Sequence, residues 1–372
     1  MLSFSRSSLL TLSVLSLLAL PARANHHLTG SLKQGHAELK SAGPLAFGPE
    51  GILFVGDTAQ ASIFAIGTED THPAEGHAAF KVEAVNQKVA AALGTDAQQI
   101  QINDLAVNPI SRNIYLSVHR GLGPDAIPVL VRIDTDGKVH VVSLNSVKFA
   151  SASLPNAPEN KAPGGRGGNP RMESITDLAF EDGRVLVAGL SNEEFSSSLR
   201  SIPFPFSKID QGASIEMFHG AHGRIETASP VRTFVPYSVG GESHLLAAYT
   251  CTPLVSFPTK DLKPGAHVKG RTIAELGNRN RPLDMIVYQK GGKDYLLLAN
   301  NNRGIMKITT DGIANITPIT TPVRGGGAEG LAYETIGAWK GITQLDRFDK
   351  DRALVLRTTD SGAMDLEAIE LP

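Results

Sequence analysis

A degenerate repeat constrains this chain more than any other feature. Short apolar, β-rich runs recur in pairs joined by a turn. They read Leu45-Ala46-Phe47 with Ile52-Leu53-Phe54-Val55, Leu105-Ala106-Val107 with Ile114-Tyr115-Leu116, and Leu178-Ala179-Phe180 with Val185-Leu186-Val187. Runs 231–237 with 245–249, 285–287 with 295–298, and 331–333 with 353–356 continue the series. The turns between them carry hairpin chemistry, as in Asp182-Gly183, Gly240-Gly241 and Gly291-Gly292. Third and fourth runs follow some pairs, such as 129–133 and 139–142 around Asp134-Thr135-Asp136-Gly137. The first runs are nearly all apolar, as strands packed on both faces require. Six units starting 46 to 73 residues apart, each of about four short antiparallel strands, predict an all-β fold. The expected architecture is a single β-propeller of six four-stranded blades over residues 25–372.

Two stretches depart from the period. Residues 146–174, rich in Gly, Pro, Asn and Ser, read as a long loop insert. Residues 84–93, followed by Gly94, read as one short helix ended by glycine.

The first 24 residues are an address. Arg6 precedes an apolar run at 9–20, and Ala22-Arg23-Ala24 is a small-x-small cleavage site. Export to a periplasm or the exterior follows as the expectation. No later apolar stretch approaches the roughly 18 residues a spanning helix needs, so no membrane span is expected. The formal net charge is −2, and −4 without Arg6 and Arg23, which argues against a nucleic-acid partner reached by bulk electrostatics. One cysteine, Cys251, excludes an internal disulfide, a Cys-rich metal site and a CxxCH haem attachment. There is no GxSxG elbow, no HExxH and no Walker loop, so no nucleotide cofactor is expected. With Trp339 as its one tryptophan, the chain also lacks the Trp-rich docking repeats of quinone-binding alcohol dehydrogenase propellers.

Strand antiparallelism sorts the polar residues. The segment before each first strand and the segment after each second strand lie on the same face of a blade. That face collects Asn103-Asp104, Thr176-Asp177, His219, His222, Glu226, Asn280-Arg281, Asp284 and Glu329 from one set. From the other set it collects Asp57, His119-Arg120, Asn192-Glu193, Cys251, Asn301 and Arg303. The opposite face receives plain turns. The polar face is therefore where a ligand is expected, with Arg120, Asn192, Glu193, Cys251, Asn301 and Arg303 as candidate binding residues.

Asp104, Asp177, Asp284 and Glu329 take the same place in four units, at or just before the first strand. In a closed ring such positions line the axis. Carboxylates there repel unless protonated or neutralised by a cation, and with Asn103 and Asn280 nearby they suit Ca²⁺ or Mg²⁺. The competing reading makes each Asp a cap for local backbone N–H groups. His219 and His222 lie in a Gly-rich loop with no helix to set them on one face, which makes them a weak metal pair.

On these repeats the chain resembles the exported six-bladed propellers of the broad superfamily that includes NHL-type, gluconolactonase-like and paraoxonase-like proteins. That resemblance is architectural and covers residues 36–372. It implies one axial Ca²⁺ held by Glu, Asn and Asp side chains, for which Glu329, Asp104, Asp177, Asp284 and Asn103 are the matching residues. The metal-ligating Glu those enzymes keep before the first blade is replaced here by Ser41-Ala42-Gly43-Pro44. Three functions follow as expectations. The first is a binding propeller for a small molecule, glycan or envelope protein. The second is a Ca²⁺-dependent lactonase or esterase with His119, His219 or His222 as general base. The third is a copper or redox role through Cys251 and the histidines.

Overall fold

In a computed structural model of the protein, residues 27–76, 79–161, 168–207 and 209–372 are described. The expected leader, 1–24, lies outside them. The described chain forms six sheets, antiparallel throughout except where His267–Lys269 adds to Ala213–His219 in parallel. Their axial strands are Leu45–Phe47, Ile100–Val107, Asp177–Glu181, Thr233–Val239, Pro282–Lys290 and Ile342–Arg347, which define blades I to VI in chain order. The Asp182-Gly183, Gly240-Gly241 and Gly291-Gly292 turns have positive φ at both residues, the requirement of the I′ hairpin. The expected helix is present as Val85–Ala92.

Six apolar clusters join the blades. Each second strand sends alternate side chains to opposite neighbours. Ile52 and Phe54 of blade I pack with Leu178 and Val187 of blade III. Leu53 and Val55 pack with Ala106 and Tyr115 of blade II. The other clusters join II to VI, III to IV, IV to V and V to VI. The order around the axis is therefore I, II, VI, V, IV, III, and contacts between axial strands give the same order. Blades I and II are exchanged relative to the chain order.

Two guest strands make this possible. After four strands of blade I, the first of them the outermost Lys33–Gly35, Lys81–Val82 crosses to become the outer strand of blade VI, pairing with Met364–Glu370. The chain then builds blade II between VI and I. It returns as Val147–Ser153, which pairs with Ser62–Gly67 as the fourth strand of blade I counted from the axis. The expected loop at 146–174 is corrected here, since its first part is a strand. Its Gly-rich centre, 162–167, lies outside the described residues. The helix covers the II–VI seam, with Val85 and Val89 buried against Leu354 and Leu366.

The sixth unit begins later than the repeat suggests. Residues Tyr333–Thr335 are the outer strand of blade V, and the axial hairpin of blade VI is Ile342–Arg347 with Arg352–Thr358. No helix of the described residues is long and apolar enough to cross a membrane.

Candidate functional site

Four aspartates ring the axis, namely Asp104, Asp177, Asp284 and Asp346. Each accepts the N–H of the next residue through one oxygen and the N–H of a neighbouring blade through the other. Asp104 bonds Leu105 and Leu45 at 2.8 and 2.7 Å, and Asp177 bonds Leu178 and Phe234 at 2.8 and 2.7 Å. Asp284 bonds Met285 and Leu345, both at 2.8 Å, and Asp346 bonds Arg347 and Val107 at 2.6 and 2.7 Å. All four cross-blade bonds run in the same rotational sense, from II to I, VI to II, V to VI and III to IV. A β-bulge at Asn103 and another at Leu283 directly precede Asp104 and Asp284 and re-aim the strand. Burial pushes Asp177 up to about 7 and Asp346 up to about 6. It lifts Asp104 and Asp284 well above the usual carboxylate range, and the neighbouring aspartates add to the shift.

The ring therefore supports the capping reading. Its donor set does not fit a single axial Ca²⁺, because among the described residues no three of these carboxylates bring oxygens within 4.8 Å of one another. Glu329 is not axial: it lies exposed on Ala328–Gly330, the outermost strand of blade IV, paired with Glu275. Asn103 donates to the Ala42 carbonyl at 2.7 Å. Asp346 is the ring member that the sequence reading missed.

The ring divides the axial channel into two cavities that share Asp104, Asp177 and Asp284. Below it, the inner strands line a space of about 450 Å³, with Leu45, Phe47, Leu178, Phe234 and Met285 among its walls and Arg347 beside them. Above it, on the polar face, a funnel of about 500 Å³ is lined by Gln101, Asn103, His119, Glu173, Thr176, Arg232, Thr233, Arg281 and Gln344. Arg232 is 15% exposed and is fixed by Glu173 Oε2 at 2.7 Å. The exposed Arg281 uses its backbone on Asn301, and among the described residues its guanidinium has no hydrogen-bond or ion-pair partner. Burial and the charge of Arg232 both lower its proton affinity, against Glu173. His119 Nε2 accepts the Ala42 N–H at 3.3 Å, which assigns the proton to Nδ1. Burial keeps this imidazole neutral, against the pull of Asp57. His119 therefore lines the funnel with Nε2 already engaged by the Ala42 N–H.

The other candidates lie away from the funnel. Asn192 and Glu193 clasp Asn156, which leads away from the fourth strand of blade I. Arg120 is exposed at the end of its strand. Asn301 caps the Arg281 N–H, and Arg303 reaches the Asn278 carbonyl at 3.1 Å. Cys251, at φ 64°, starts a tight turn whose N–H bonds Asn280. It belongs to no group of three His, Cys, Asp or Glu ligand atoms among the described residues. His219 and His222 do converge, at the outer edge of blade III. The hairpin Ala213–His219 and Arg224–Glu226 sets His219 and Glu226 on one side, and His222 folds back with ring centroids 3.8 Å from those of His219. The sequence rule itself could have found Arg232, since it precedes a first strand. Starting that strand at Val231 rather than at Thr233 hid it.

No protein-family model matches the chain, and no curated protein does. Solved structures similar to it include the PQQ-bound form of an aldose sugar dehydrogenase from Streptomyces coelicolor, at 10% identity over 91% of this chain and 96% of that one, with a TM-score of 0.31. A glucose dehydrogenase matches at 13% over 92% and 98%, with a TM-score of 0.35. The plexin A4 extracellular region matches at 8% over 91% and 47%, with a TM-score of 0.40. At these identities and scores the likeness says nothing about family or activity, and the fold rests on the strand pairing described above.

Proposed function

We propose that the protein is a binding propeller whose funnel takes a small anionic polyol, such as a sugar acid. The observation that carries this reading is the pair of arginines on the funnel wall. Arg232 is already neutralised and held by Glu173, whereas Arg281 presents an uncommitted guanidinium at the mouth. A guanidinium fork matches a carboxylate in two parallel hydrogen bonds. Around it, Gln101, Asn103, Thr176, Thr233 and Gln344 provide the amides and hydroxyls that suit ligand hydroxyl groups. The floor is polar, and burial raises all four ring aspartates above the usual carboxylate range, which reduces the negative charge at the ring. An anion entering the funnel is therefore not opposed by four full negative charges. With the export expected from residues 1–24, such a ligand is one met outside the cytoplasm.

Calorimetric titration with gluconate, glucuronate and neutral glucose tests this. The sugar acids bind and glucose does not, and Arg281→Ala weakens gluconate binding by about 1.5–3 kcal/mol, the range for a hydrogen bond to a charged group. Equal binding of glucose and gluconate, or an unchanged Arg281→Ala affinity, overturns the reading.

A further inference from the structure

At the rim of the polar face, 219–226 forms a compact donor set. His222 Nδ1 lies 2.6 Å from Glu226 Oε1, and His219 Nδ1 lies 3.2 Å from Glu226 Oε2. Among the described residues this is the one group of three His, Cys, Asp or Glu whose ligand atoms all fall within 4.8 Å of one another. Two ligands on a tetrahedral ion at 2.0–2.1 Å stand roughly 3.3 Å apart, close to the spacing seen here.

A second, independent observation points the same way. His219 is 2% exposed, yet neither of its ring nitrogens has a hydrogen-bond partner; the Glu226 contact is close but poorly aligned for one. Glu275, fully buried on the adjoining strand of blade IV, spends Oε1 on the Gly220 N–H and leaves Oε2 unpartnered. Buried polar atoms without partners are rare and call for an unseen ion or water. Support around the set is in place. Ser229 donates to Glu226 Oε2 at 2.6 Å, which orients the carboxylate as an outer-shell partner does. Arg224, 71% exposed, touches Glu226 Oε1 only at 3.4 Å. His222, 43% exposed, leaves an entry path from solvent.

We propose that His219, His222 and Glu226 form a binding site for a divalent transition-metal ion, with Glu275 behind it. Two imidazoles with carboxylate oxygen select zinc-like ions over calcium, whose ligands are all oxygen. The site lies away from the axial funnel and would tie the outer hairpin of blade III to blade IV, where the Val323 N–H already bonds the Gly220 carbonyl.

The test is calorimetric titration of Zn²⁺ into the tag-free, EDTA-stripped full chain, with thermal unfolding followed in parallel. Wild type binds one Zn²⁺ at this site and melts higher with it. His222→Ala, at a half-exposed position that the fold tolerates, and Glu226→Gln each weaken binding at least tenfold and remove the Zn²⁺-dependent rise in melting temperature. Cobalt replacing zinc gives the intense visible bands of a tetrahedral site, and these disappear in His222→Ala. Absence of Zn²⁺ binding in wild type, or binding unchanged in both variants and hence located at other histidines such as His26 and His27, overturns the proposal.

Discussion

At the scale of single residues, the axial aspartates bridge blades through backbone N–H groups, and their protonation has a consequence for stability. Asp177 is pushed up to about 7 from 3.8 by burial. A carboxyl raised in this way contributes fully below about pH 4 and loses its contribution as pH rises through the folded value. Asp177→Asn removes that titration. Its single carbonyl oxygen cannot serve both the Leu178 and Phe234 N–H groups as the carboxyl does, which costs about 1–3 kcal/mol. The variant is therefore less stable than wild type in urea at pH 4.5, and the gap narrows by pH 8. A gap that widens with pH would mean that a cation stabilises the ionised form. Three ring members were legible in the sequence because each directly precedes an apolar triplet. Asp346 was not, because Arg347 follows it and the Leu331-Ala332-Tyr333 run imitates a first strand. His219 and His222 were legible only as residues. A β-hairpin, not a helix, aligns one of them with Glu226 and folds the other back over it, and sequence spacing does not encode that.

At the scale of elements, hairpin pairs were readable because each is local and closed by a two-residue turn. The guest strands were not. Val147–Ser153 ends in four small residues, Ala150-Ser151-Ala152-Ser153, and its partner Ser62–Gly67 lies more than eighty positions earlier. Composition alone resembles a loop. Only the long spacings of 60 and 73 residues between the first three units hinted that something else was threaded between them. Ala150 pairs with Ala65 inside this sheet. Ala150→Pro removes a donor from a strand flanked on both sides, costing roughly 1–3 kcal/mol for the unmade bond in addition to ring clashes. Chemical denaturation shows a midpoint well below wild type, and hydrogen exchange in wild type shows amides 148–152 protected alongside those of Ser62–Gly67. A wild-type midpoint in the variant would return this segment to a loop.

At the scale of the whole molecule, the exchange divides the ring into two bodies. Blades I and II are laced together by Val147–Ser153, whereas III to VI follow one another in chain order. The covalent link between the bodies runs through residues 154–176. They also meet along two seams. At the I–III seam, Phe54 stacks on Phe180 at 5.4 Å and meets Phe204 edge-on at 5.0 Å. At the II–VI seam, Phe80 stacks on Phe348 at 5.5 Å, Lys81–Val82 completes blade VI, and Asp346 bonds the Val107 N–H. Because the seams are closed by side chains and a strand rather than by chain continuity, cutting the link leaves the ring able to close. Fragments 25–160 and 168–372, co-expressed, purify together as a 1:1 complex on gel filtration. Phe54 is fully buried, so Phe54→Ala costs about 3–5 kcal/mol at the seam. That loss weakens association by roughly two to four orders of magnitude, enough to separate the halves at micromolar concentration. Wild-type halves that never associate would show that ring closure depends on the covalent link, and that the lacing of blades I and II does not by itself hold the propeller shut.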